Sequence, residues 1–399
     1  MKINANPKKI EEVLGKRTVE VIDKIHLKKR LLSGENLRIK YGVDPTKPDI
    51  HLGHTVPLRK LKEFQDLGHT IIFIIGDFTA QIGDPSGRLK SRVPLTSEQA
   101  SKNAKTYLEQ LKKVMDIKKV EIQRNSQWYS KMTLKDVLKL AGLFTVARIL
   151  ERDDFTKRMQ ADADIHLHEI LYPILQAYDS VVINSDLEIG GTDQKFNMLA
   201  GRTLQGRLGK PQQDIITLPL LLGLDGKEKM SKSLNNYIGV AESPQEQYGK
   251  IMSIPDNVIG HYFELATKLP MEEIEKSKKA LRKGEINPRD AKAKLAREIV
   301  EIYHGERAAQ RAEKEFGRVF KEKKLPSKIP VIKIEEEKLN ILEFLVKTNL
   351  ASSKSEAKRL ILQGGVKIDG KIEENWRDVI QIKKGMLVQV GKRKFLKVV

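Results

Sequence analysis

The hydrophobic pattern near the start of the chain predicts a strand, a helix and a second strand. Residues 36–43, NLRIKYGV, are rich in β-branched and aromatic side chains, and Pro45 ends the run. From residue 51, apolar positions recur at helical spacing as far as Gly68. Residues 70–78, TIIFIIGDF, form a short apolar run of the kind found in buried parallel strands. We therefore predict a βαβ unit with a right-handed crossover.

Two later apolar runs predict further strands of the same sheet. Residues 181–191, VVINSDLEIGG, end in two glycines, and residues 214–223, DIITLPLLLG, lead into a polar loop. Alternation of such strands with helical segments is typical of an α/β fold. We predict the α/β class, with a Rossmann-like parallel sheet as a first domain in residues 1–222.

The pattern changes towards the C-terminus. Charged helical segments dominate after about residue 245 and predict a helical second domain in residues 223–330. Residues 331–399 begin with a proline-marked linker and predict a small α+β domain. Its two amphipathic segments are expected to be helices, the second capped by Ser353, and an Asp-Gly pair after them predicts a hairpin.

Composition adds a partner and a compartment to this picture. The chain has 73 Lys and Arg against 53 Asp and Glu, a net charge of +20, which favours a polyanionic partner such as nucleic acid. A lysine-rich surface without such a partner is the alternative. Cysteine is absent, which excludes disulfides and thiolate metal sites. The sequence has neither a membrane-spanning apolar run nor an apolar leader, so we expect a cytoplasmic protein without membrane contact.

The first candidate for chemistry is the sequence His51-Leu52-Gly53-His54, which opens the predicted helix. A helix N-terminus offers unpaired N–H groups and the positive end of the helix dipole, and therefore suits phosphate. Two imidazoles can donate hydrogen bonds to phosphate oxygens, and Gly53 leaves room for a flat ring. A pair of metal ligands and a purely structural role are the alternatives.

The second candidate is the loop Lys229-Met230-Ser231-Lys232-Ser233, which follows an Asp-Gly turn. Compact lysine charges among small residues suit a highly anionic group that binds and leaves. Taken alone, such a loop is more often solvated surface. Residues 83–88, GDPSGR, lack the spacing of a Walker phosphate loop.

Together the two motifs resemble the signature pair of the class I aminoacyl-tRNA synthetases. The resemblance implies ATP as a substrate, and Mg²⁺ is expected to accompany ATP without a cage of protein ligands. It also implies that His51 and His54 stabilise the transferring phosphoryl group. Lys229 and Lys232 would hold the leaving pyrophosphate, with a hydroxyl contact from Ser233, while the loop closes over ATP.

Four further stretches resemble the tyrosyl-tRNA synthetases of bacterial type, namely YGVDPT at 41–46, GDPSGR at 83–88, YPILQAYD at 172–179 and GGTDQ at 190–194. The resemblance implies that the substrate ammonium lies against Tyr172, Gln176 and Asp84, and that Gln194 meets the amino-acid carboxylate or the α-phosphate. Asp193 would bind the ribose of ATP. The other implied nucleotide contacts are Gly42, Asp44, Thr46, Gly53 and Gly191, and the implied pyrophosphate contacts are Arg88 and Arg92.

Asp179 is the residue that would select the amino acid. Tyr172, Gln176 and Asp179 fall at i, i+4 and i+7 on one helix face, and the resemblance implies that Asp179 accepts a hydrogen bond from the phenol hydroxyl. A phenylalanine ring would leave this buried acceptor unpaired and be rejected. Lys40 departs from the family, because many relatives have a tyrosine there that contacts the hydroxyl. Lys40 therefore either faces solvent or lies near the pocket.

The C-terminal domain resembles an S4 RNA-binding domain. The resemblance implies that the RNA backbone meets a set of basic side chains, namely Lys354, Lys358, Arg359, Lys383 and Lys384. A packing role is the alternative for this domain.

The main hypothesis is a tyrosine–tRNA ligase that forms tyrosyl-adenylate from tyrosine and ATP and passes the tyrosyl group to tRNA(Tyr). The family is homodimeric, and we expect the dimer contacts in an insertion around residues 115–180. A tryptophanyl-tRNA synthetase is one alternative, against which Asp179 and the S4-like tail argue. A non-catalytic RNA-binding protein on the same scaffold is another, against which the intact histidines and lysines of the two motifs argue.

Overall fold

The computed structural model describes residues 3–86, 95–322, 325, 329–391 and 394–399 of the chain. Its strands are β1 Glu20–Ile22, β2 Arg38–Val43, β3 Thr70–Ile75, β4 Val120–Arg124, β5 Leu187–Gly191, β6 Asp214–Leu218, β7 Val331–Ile332, β8 Lys338–Asn340, β9 Val366–Ile368, β10 Lys371–Ile372, β11 Val379–Gln381, β12 Leu387–Val390 and β13 Lys394–Val398.

The helices of the first 207 residues are α1 Pro7–Gly15, α2 Lys24–Leu32, α3 Leu52–Asp66, α4 Ser97–Leu111, α5 Ser126–Tyr129, α6 Leu134–Ala141, α7 Val146–Leu150, α8 Asp153–Gln160, α9 Leu167–Val182 and α10 Lys195–Arg207. The later helices are α11 Pro244–Met252, α12 Ile259–Ala266, α13 Met271–Arg282, α14 Pro288–His304, α15 Glu306–Phe316, α16 Ile341–Lys347 and α17 Lys354–Leu362. Short 3₁₀ turns lie at Thr79–Gln81, Ile117–Lys119, Thr192–Gln194 and Asp256–Val258, and a π-helical turn at Gly317–Lys321.

The first sheet has the strand order β1-β6-β5-β2-β3-β4, with β1 antiparallel to β6 and the other neighbours parallel. The predicted βαβ unit is confirmed as β2, α3 and β3. Because the parallel strands run the same way, their carboxyl ends meet at one edge of the sheet, where ligands of open α/β sheets bind. The segments after β2, β3 and β5 therefore come together, and they include Asp44, Gly76 and Thr192–Gln194.

Both later predicted strands are shorter than expected, and of residues 214–223 only Asp214–Leu218 form a strand. Residues 181–191 were predicted as one strand, but Val181 and Val182 belong to the last turn of α9, and β5 begins only at Leu187. Val181 packs in an apolar cluster with Ile174 and Ala177 of the same helix, and Asn184, with φ 48°, turns the chain after the helix. Two adjacent valines occur in buried helices as well as in strands, so the packing of Val181 determines that this segment is helical.

The described chain has four apolar clusters, two of which lie around α9 and against β3, while the other two are large. The larger runs from Ile10 to Ala312 and joins the first sheet to the later helices, where α11 packs against α14 and α15. The smaller lies between Ile341 and Val398, under a five-stranded sheet of order β10-β9-β12-β13-β7. The α/β class with a small C-terminal α+β unit is confirmed, and the domain boundaries stay predictions.

The helix cap and the hairpin predicted in the C-terminal unit are both present. Ser353 caps α17 by accepting from the backbone N–H of Glu356 at 3.2 Å. Strands β9 and β10 form the predicted antiparallel hairpin. Throughout the described part of the chain, the helices are too short or too polar to cross a bilayer.

A buried ion pair provides a test of the packing around α9. Arg158 and Glu169 are 2.7 Å apart with side chains 1% and 2% exposed. Arg158→Leu should lower the free energy of unfolding by about 3–5 kcal/mol, because it leaves a buried carboxylate without its main partner. The matched control, Arg148→Leu, removes an exposed pair with Glu151 and should cost at most about 1 kcal/mol. Urea unfolding of both variants measures this, and equal effects would contradict the assignment.

Candidate active site

A cavity of about 710 Å³ opens at the carboxyl edge of the parallel sheet, a size typical of small-molecule sites. Its wall is formed by the segments after β2, β3 and β5, by α9, by the start of α3 and by the lysine loop. The predicted site residues that line it are Gly42, Asp44, Thr46, His51, Gly53, His54, Asp84, Tyr172, Gln176, Asp179, Gly191, Asp193, Gln194, Lys229 and Ser233. Arg88 and Arg92 lie outside the described residues.

One face of α9 supplies the three side chains expected from its spacing. Tyr172, Gln176 and Asp179 all face the cavity. The Tyr172 hydroxyl donates to Asp44 Oδ2 at 3.0 Å, and Thr79 Oγ1 donates to Asp44 Oδ1 at 2.7 Å. The position after β3 must be glycine, since a Cβ on Gly76 would lie 2.1 Å from Asp44 Oδ1. A residue expected on the nucleotide side and one expected on the amino-acid side thus share one hydrogen-bond network.

Asp179 is buried and faces three donors from one short segment. Its Oδ1 accepts from the Tyr129 hydroxyl at 2.8 Å and from Trp128 Nε1 at 3.0 Å. Its Oδ2 accepts, among the described residues, only a long bond of 3.4 Å from Asn125 Nδ2. Burial raises the pKa of Asp179 to about 6, against the opposing effects of the Lys40 charge and these donors. Oδ2 is therefore the oxygen with accepting capacity left for a ligand.

The sequence analysis missed these three donors. Asn125, Trp128 and Tyr129 follow β4 directly, so they lie at the same carboxyl edge as the other site residues. The signal was a polar and aromatic stretch, NSQWY, after a strand end. It went unused because β4 was not predicted, and the segment was assigned to dimer contacts alone.

A second missed residue, Asn197, connects the predicted ammonium contacts. Asn197 is fully buried and its Nδ2 donates to Gln176 Oε1 at 2.8 Å and to Gln194 Oε1 at 3.1 Å. Gln194 Nε2 in turn donates to Asp84 Oδ2 at 2.9 Å. Asp84 and Gln176 therefore face one space, with their orientations set by amide bridges.

The two histidines lie at the start of α3 as predicted. His51 is the N-cap residue, and its ring stacks on that of His54 with the centroids 3.6 Å apart. Burial lowers the pKa of both imidazoles, that of His54 to about 3, so both are neutral at physiological pH. His51 Nδ1 is buried and has no hydrogen-bond partner within the described residues. Side-by-side stacking argues against the metal-pair alternative, because chelating rings must converge on one ion.

The lysine loop is held in place by its central residue, Met230, while its two lysines contact other parts of the site. Met230 is buried, and its backbone N–H donates to the Leu221 carbonyl at 2.7 Å. Lys229 Nζ lies 2.5 Å from Asp193 Oδ2. Lys232 does not line the cavity, but its Nζ donates to the Lys47 carbonyl at 3.2 Å, and burial lowers its pKa to about 8. An incoming anion must therefore replace these partners of the two lysines.

Lys40 is in the cavity wall and not in solvent. Its side chain is fully buried, and its Nζ lies 2.9 Å from Glu188 Oε1. The solvent alternative for Lys40 is therefore wrong.

The five basic residues predicted to contact RNA are all exposed on the C-terminal unit. Lys354 pairs with Glu343 at 2.7 Å. The Lys358 ammonium lies 4.1 Å from the centre of the Trp376 ring, which Arg377 also contacts. The aromatic member of this group was missed, because a single tryptophan after a hairpin carries no pattern.

Two family models together match almost the whole chain. A model described as tRNA synthetases class I (W and Y) matches residues 32–321, and one described as the tyrosine–tRNA ligase SYY-like C-terminal domain matches residues 322–398. The chain therefore belongs to the class I tRNA synthetases of the tryptophan and tyrosine family.

Full-length relatives and solved structures narrow this class. The tyrosine–tRNA ligase of Thermotoga maritima is 50% identical over 98% of each chain, and that of Carboxydothermus hydrogenoformans is 51% identical over 95% of this chain and 93% of the relative. A truncated mitochondrial tyrosyl-tRNA synthetase of Aspergillus nidulans superposes with a TM-score of 0.63 at 25% identity, covering 79% of this chain and 94% of its own. The Archaeoglobus fulgidus enzyme with L-tyrosine shares the fold, with a TM-score of 0.64 at 24% identity, covering 77% and 100%. The predicted function, tyrosine–tRNA ligase, is confirmed, and the tryptophanyl and non-catalytic alternatives are not favoured.

Proposed function

We propose that the cavity at the sheet edge is where this ligase carries out both of its steps. In the first, the tyrosine carboxylate attacks the α-phosphorus of ATP, and the bond to the leaving pyrophosphate breaks. In the second, a hydroxyl of the terminal tRNA ribose attacks the tyrosyl carbonyl, and AMP leaves. The observation that supports this most is the position of Asp179, a buried acceptor in the same cavity wall as the phosphate-binding motifs.

The amino-acid side of the cavity holds tyrosine by its two polar ends. Tyr172, Gln176 and Asp84 bind the ammonium, and Gln194 lies towards the carboxylate. Asp179 Oδ2 accepts from the phenol hydroxyl, because its other oxygen already receives Tyr129 and Trp128. Removing the hydroxyl would leave a desolvated acceptor, which costs about 1–3 kcal/mol.

The nucleotide side combines donors and mobile positive charge. Asp193 binds the ribose, with Gly42, Asp44, Thr46, Gly53 and Gly191 around the rest of the nucleotide. His51 and His54 donate to the transferring phosphoryl group as neutral imidazoles, and Lys229, Lys232 and Ser233 bind the pyrophosphate together with Arg88 and Arg92. Lys229 must first leave Asp193, which frees that carboxylate for the ribose. The tyrosine carboxylate is already a nucleophile, so positioning and charge stabilisation supply the catalysis.

We propose that Mg²⁺ enters with the ATP phosphates. Among the described residues, one group could place three ligand atoms together, namely Asp23, His26 and Asp214. Asp214 begins β6, at the opposite edge of the sheet from the cavity, so this group is not placed to bind Mg²⁺ together with ATP. Arg202 also lies 3.5 Å from the Asp214 carboxylate, and its positive charge opposes a cation there. Mg²⁺ bound by triphosphate oxygens and water would neutralise charge on the leaving group.

The remaining partners follow from the rest of the chain. The exposed Lys354, Lys358, Arg359, Lys383 and Lys384 bind the backbone of tRNA(Tyr), in keeping with the net charge of +20. A cytoplasmic location fits a chain without cysteine that acts on tRNA.

We also propose that the chain is a homodimer joined through the insertion. Helices α6 and α7 pack on α9, and apolar side chains on these three elements face solvent, namely Leu134, Leu138, Val146 and Leu167. Leu134 is 75% exposed and Leu167 is 81% exposed. A cluster of large apolar side chains in solvent is typical of a protein interface.

Sedimentation tests the dimer. The wild-type chain should sediment as a dimer at micromolar concentration, and Leu134→Asp with Leu138→Asp should make it monomeric, because two carboxylates cannot be buried unpaired in an interface. Lys279→Asp, on the exposed surface of α13, should leave the dimer intact. A monomeric wild-type chain, or a dimer that survives the double substitution, would contradict the proposed interface.

ATP–pyrophosphate exchange without tRNA tests the function itself. Exchange should depend on tyrosine and not on phenylalanine or tryptophan. Asp179→Ala should lower kcat/KM for tyrosine by roughly 5- to 150-fold, corresponding to an acceptor worth about 1–3 kcal/mol. Asp153→Ala, an exposed carboxylate on α8, is the matched control and should change nothing. Absence of exchange with all three amino acids, in a folded protein that binds tRNA, would refute the assignment.

The pH dependence of the same exchange tests the state of Asp179. Protonation turns an acceptor oxygen into a donor, so kcat/KM for tyrosine should fall as the pH drops through about 6, the pKa of this carboxyl. Asp179→Asn should be slow and lack this acidic limb, which separates Asp179 from other titrating groups such as the ATP phosphates. An unchanged limb in the Asn variant would show that another group controls it.

A further inference from the structure

Lys40 is a lysine without access to water in the wall of a substrate cavity. Its ammonium donates to the Gln176 carbonyl at 2.9 Å and to Ser180 Oγ at 2.7 Å, and it forms an ion pair with Glu188 Oε1 at 2.9 Å. These three contacts hold the side chain in one position in the cavity wall.

Glu188 is fixed as tightly as Lys40. The two residues are direct neighbours in the register of β2 and β5. Glu188 Oε2 accepts from Ser180 Oγ at 3.1 Å and from Gln213 Nε2 at 2.5 Å. Both charged groups line the cavity together with Asp179. A buried ion pair seldom stabilises a fold more than well-packed apolar residues would. Stability alone therefore does not explain why this pair lies beside a substrate pocket.

The contacts of Lys40 bracket Asp179 along α9. The ammonium binds the carbonyl of residue 176, one turn before Asp179, and the hydroxyl of residue 180, directly after it. Among the described residues, the titratable and charged groups nearest Asp179 are Lys40 on β2 and Glu188 on β5, which line the same cavity, and Tyr129 on α5, whose ring contacts that of Tyr178. Lys40 is the one cation among these described groups.

We propose that Lys40, held in place by Glu188, is a positioning residue for amino-acid selection that keeps Asp179 in the carboxylate form required to accept the phenol hydroxyl. This inference rests on the proposed role of Asp179. A carboxylate enclosed by protein loses hydration and tends to become protonated, whereas a nearby cation favours its charged form. A protonated Asp179 would present an O–H donor, and the distinction between a phenol and a plain phenyl ring would weaken.

The influences on the pKa of Asp179 have the direction that this role of Lys40 requires. Burial already places the pKa of Asp179 at about 6, and the charge of Lys40 is the largest of the influences that lower it. Without Lys40 this pKa would move into the range in which the enzyme works. Loss of the Lys40 charge should therefore raise the pKa of Asp179, whereas loss of the Glu188 charge should not, and a purely structural role would not produce this difference.

The test is the acidic limb of tyrosine-dependent exchange, measured between pH 5 and 9 on the full chain. Lys40→Met should move its midpoint upward by about 1 pH unit or more, since a cation at close range lowers a carboxyl pKa by roughly 1–3 units. At pH 6 the variant should lose most of its preference for tyrosine over phenylalanine, and it should regain that preference near pH 9. The KM for ATP should stay unchanged.

Two further variants and a control complete the test. Glu188→Gln keeps an acceptor for Lys40 and removes the negative charge, so the midpoint should stay or move downward. Lys40→Met with Glu188→Gln leaves no unpaired charge and should still shift the midpoint upward, which covers the case in which the single Lys40 variant fails to fold. Lys279→Met controls for loss of a surface lysine.

The outcomes separate this inference from the proposed function. A midpoint that is the same in the wild type, Lys40→Met and the double variant would overturn the role of Lys40 while leaving the ligase intact. Activity lost equally at every pH would also overturn it, because that result indicates damage to the fold. If the wild-type chain shows no tyrosine-dependent exchange, the proposed function of the cavity fails first.

Discussion

A carboxylate buried in a protein cavity stays charged only if donors and positive charge replace the water it has lost. Asp179 is such a group, and the cavity is arranged around it. Tyr129 and Trp128 donate to one oxygen of Asp179, and Lys40 on β2 supplies positive charge. The second oxygen accepts only a long bond from Asn125 within the described residues, so it has capacity to accept from a ligand in the cavity that Asp179 lines. A site that must recognise one hydroxyl group requires this combination of a fixed, charged and incompletely satisfied acceptor.

The parallel sheet makes that arrangement possible. Lys40 and Glu188 are distant in sequence, yet they are adjacent because β2 and β5 are neighbours with that register. The same edge of the sheet places the start of α3 and the lysine loop on the other side of the cavity. There the histidines are neutral, and Lys229 is paired with Asp193. Lys229 thus contacts a carboxylate that a nucleotide can replace as its partner.

Sequence patterns predicted the parts of this structure that depend on local periodicity. The elements of the βαβ unit, the helix capped by Ser353 and the common face of Tyr172, Gln176 and Asp179 all follow from patterns between residues close in sequence. The strand predicted from Val181 was wrong over its first half, because β-branched residues also pack well inside a buried helix.

The remaining site residues depend on contacts between elements, which one sequence does not contain. Asn125, Trp128 and Asn197 have no periodic pattern, and their roles follow from the order of the strands and the packing of α9 on α10. Lys40 was ambiguous for the same reason. Side chains alternate between the two faces of a strand, and the elements that pack on each face decide what a lysine there contacts.

A crystal structure with a non-hydrolysable tyrosyl-adenylate analogue tests the central claim most directly, because the claim is the position of one hydroxyl. The phenolic oxygen should lie within about 2.5–3.0 Å of Asp179 Oδ2, a normal distance for an O–H···O hydrogen bond. The ribose should lie beside Asp193, with Lys229 released from it. A phenol ring bound elsewhere in the cavity, or an Asp179 carboxylate without contact to the analogue, would contradict the account.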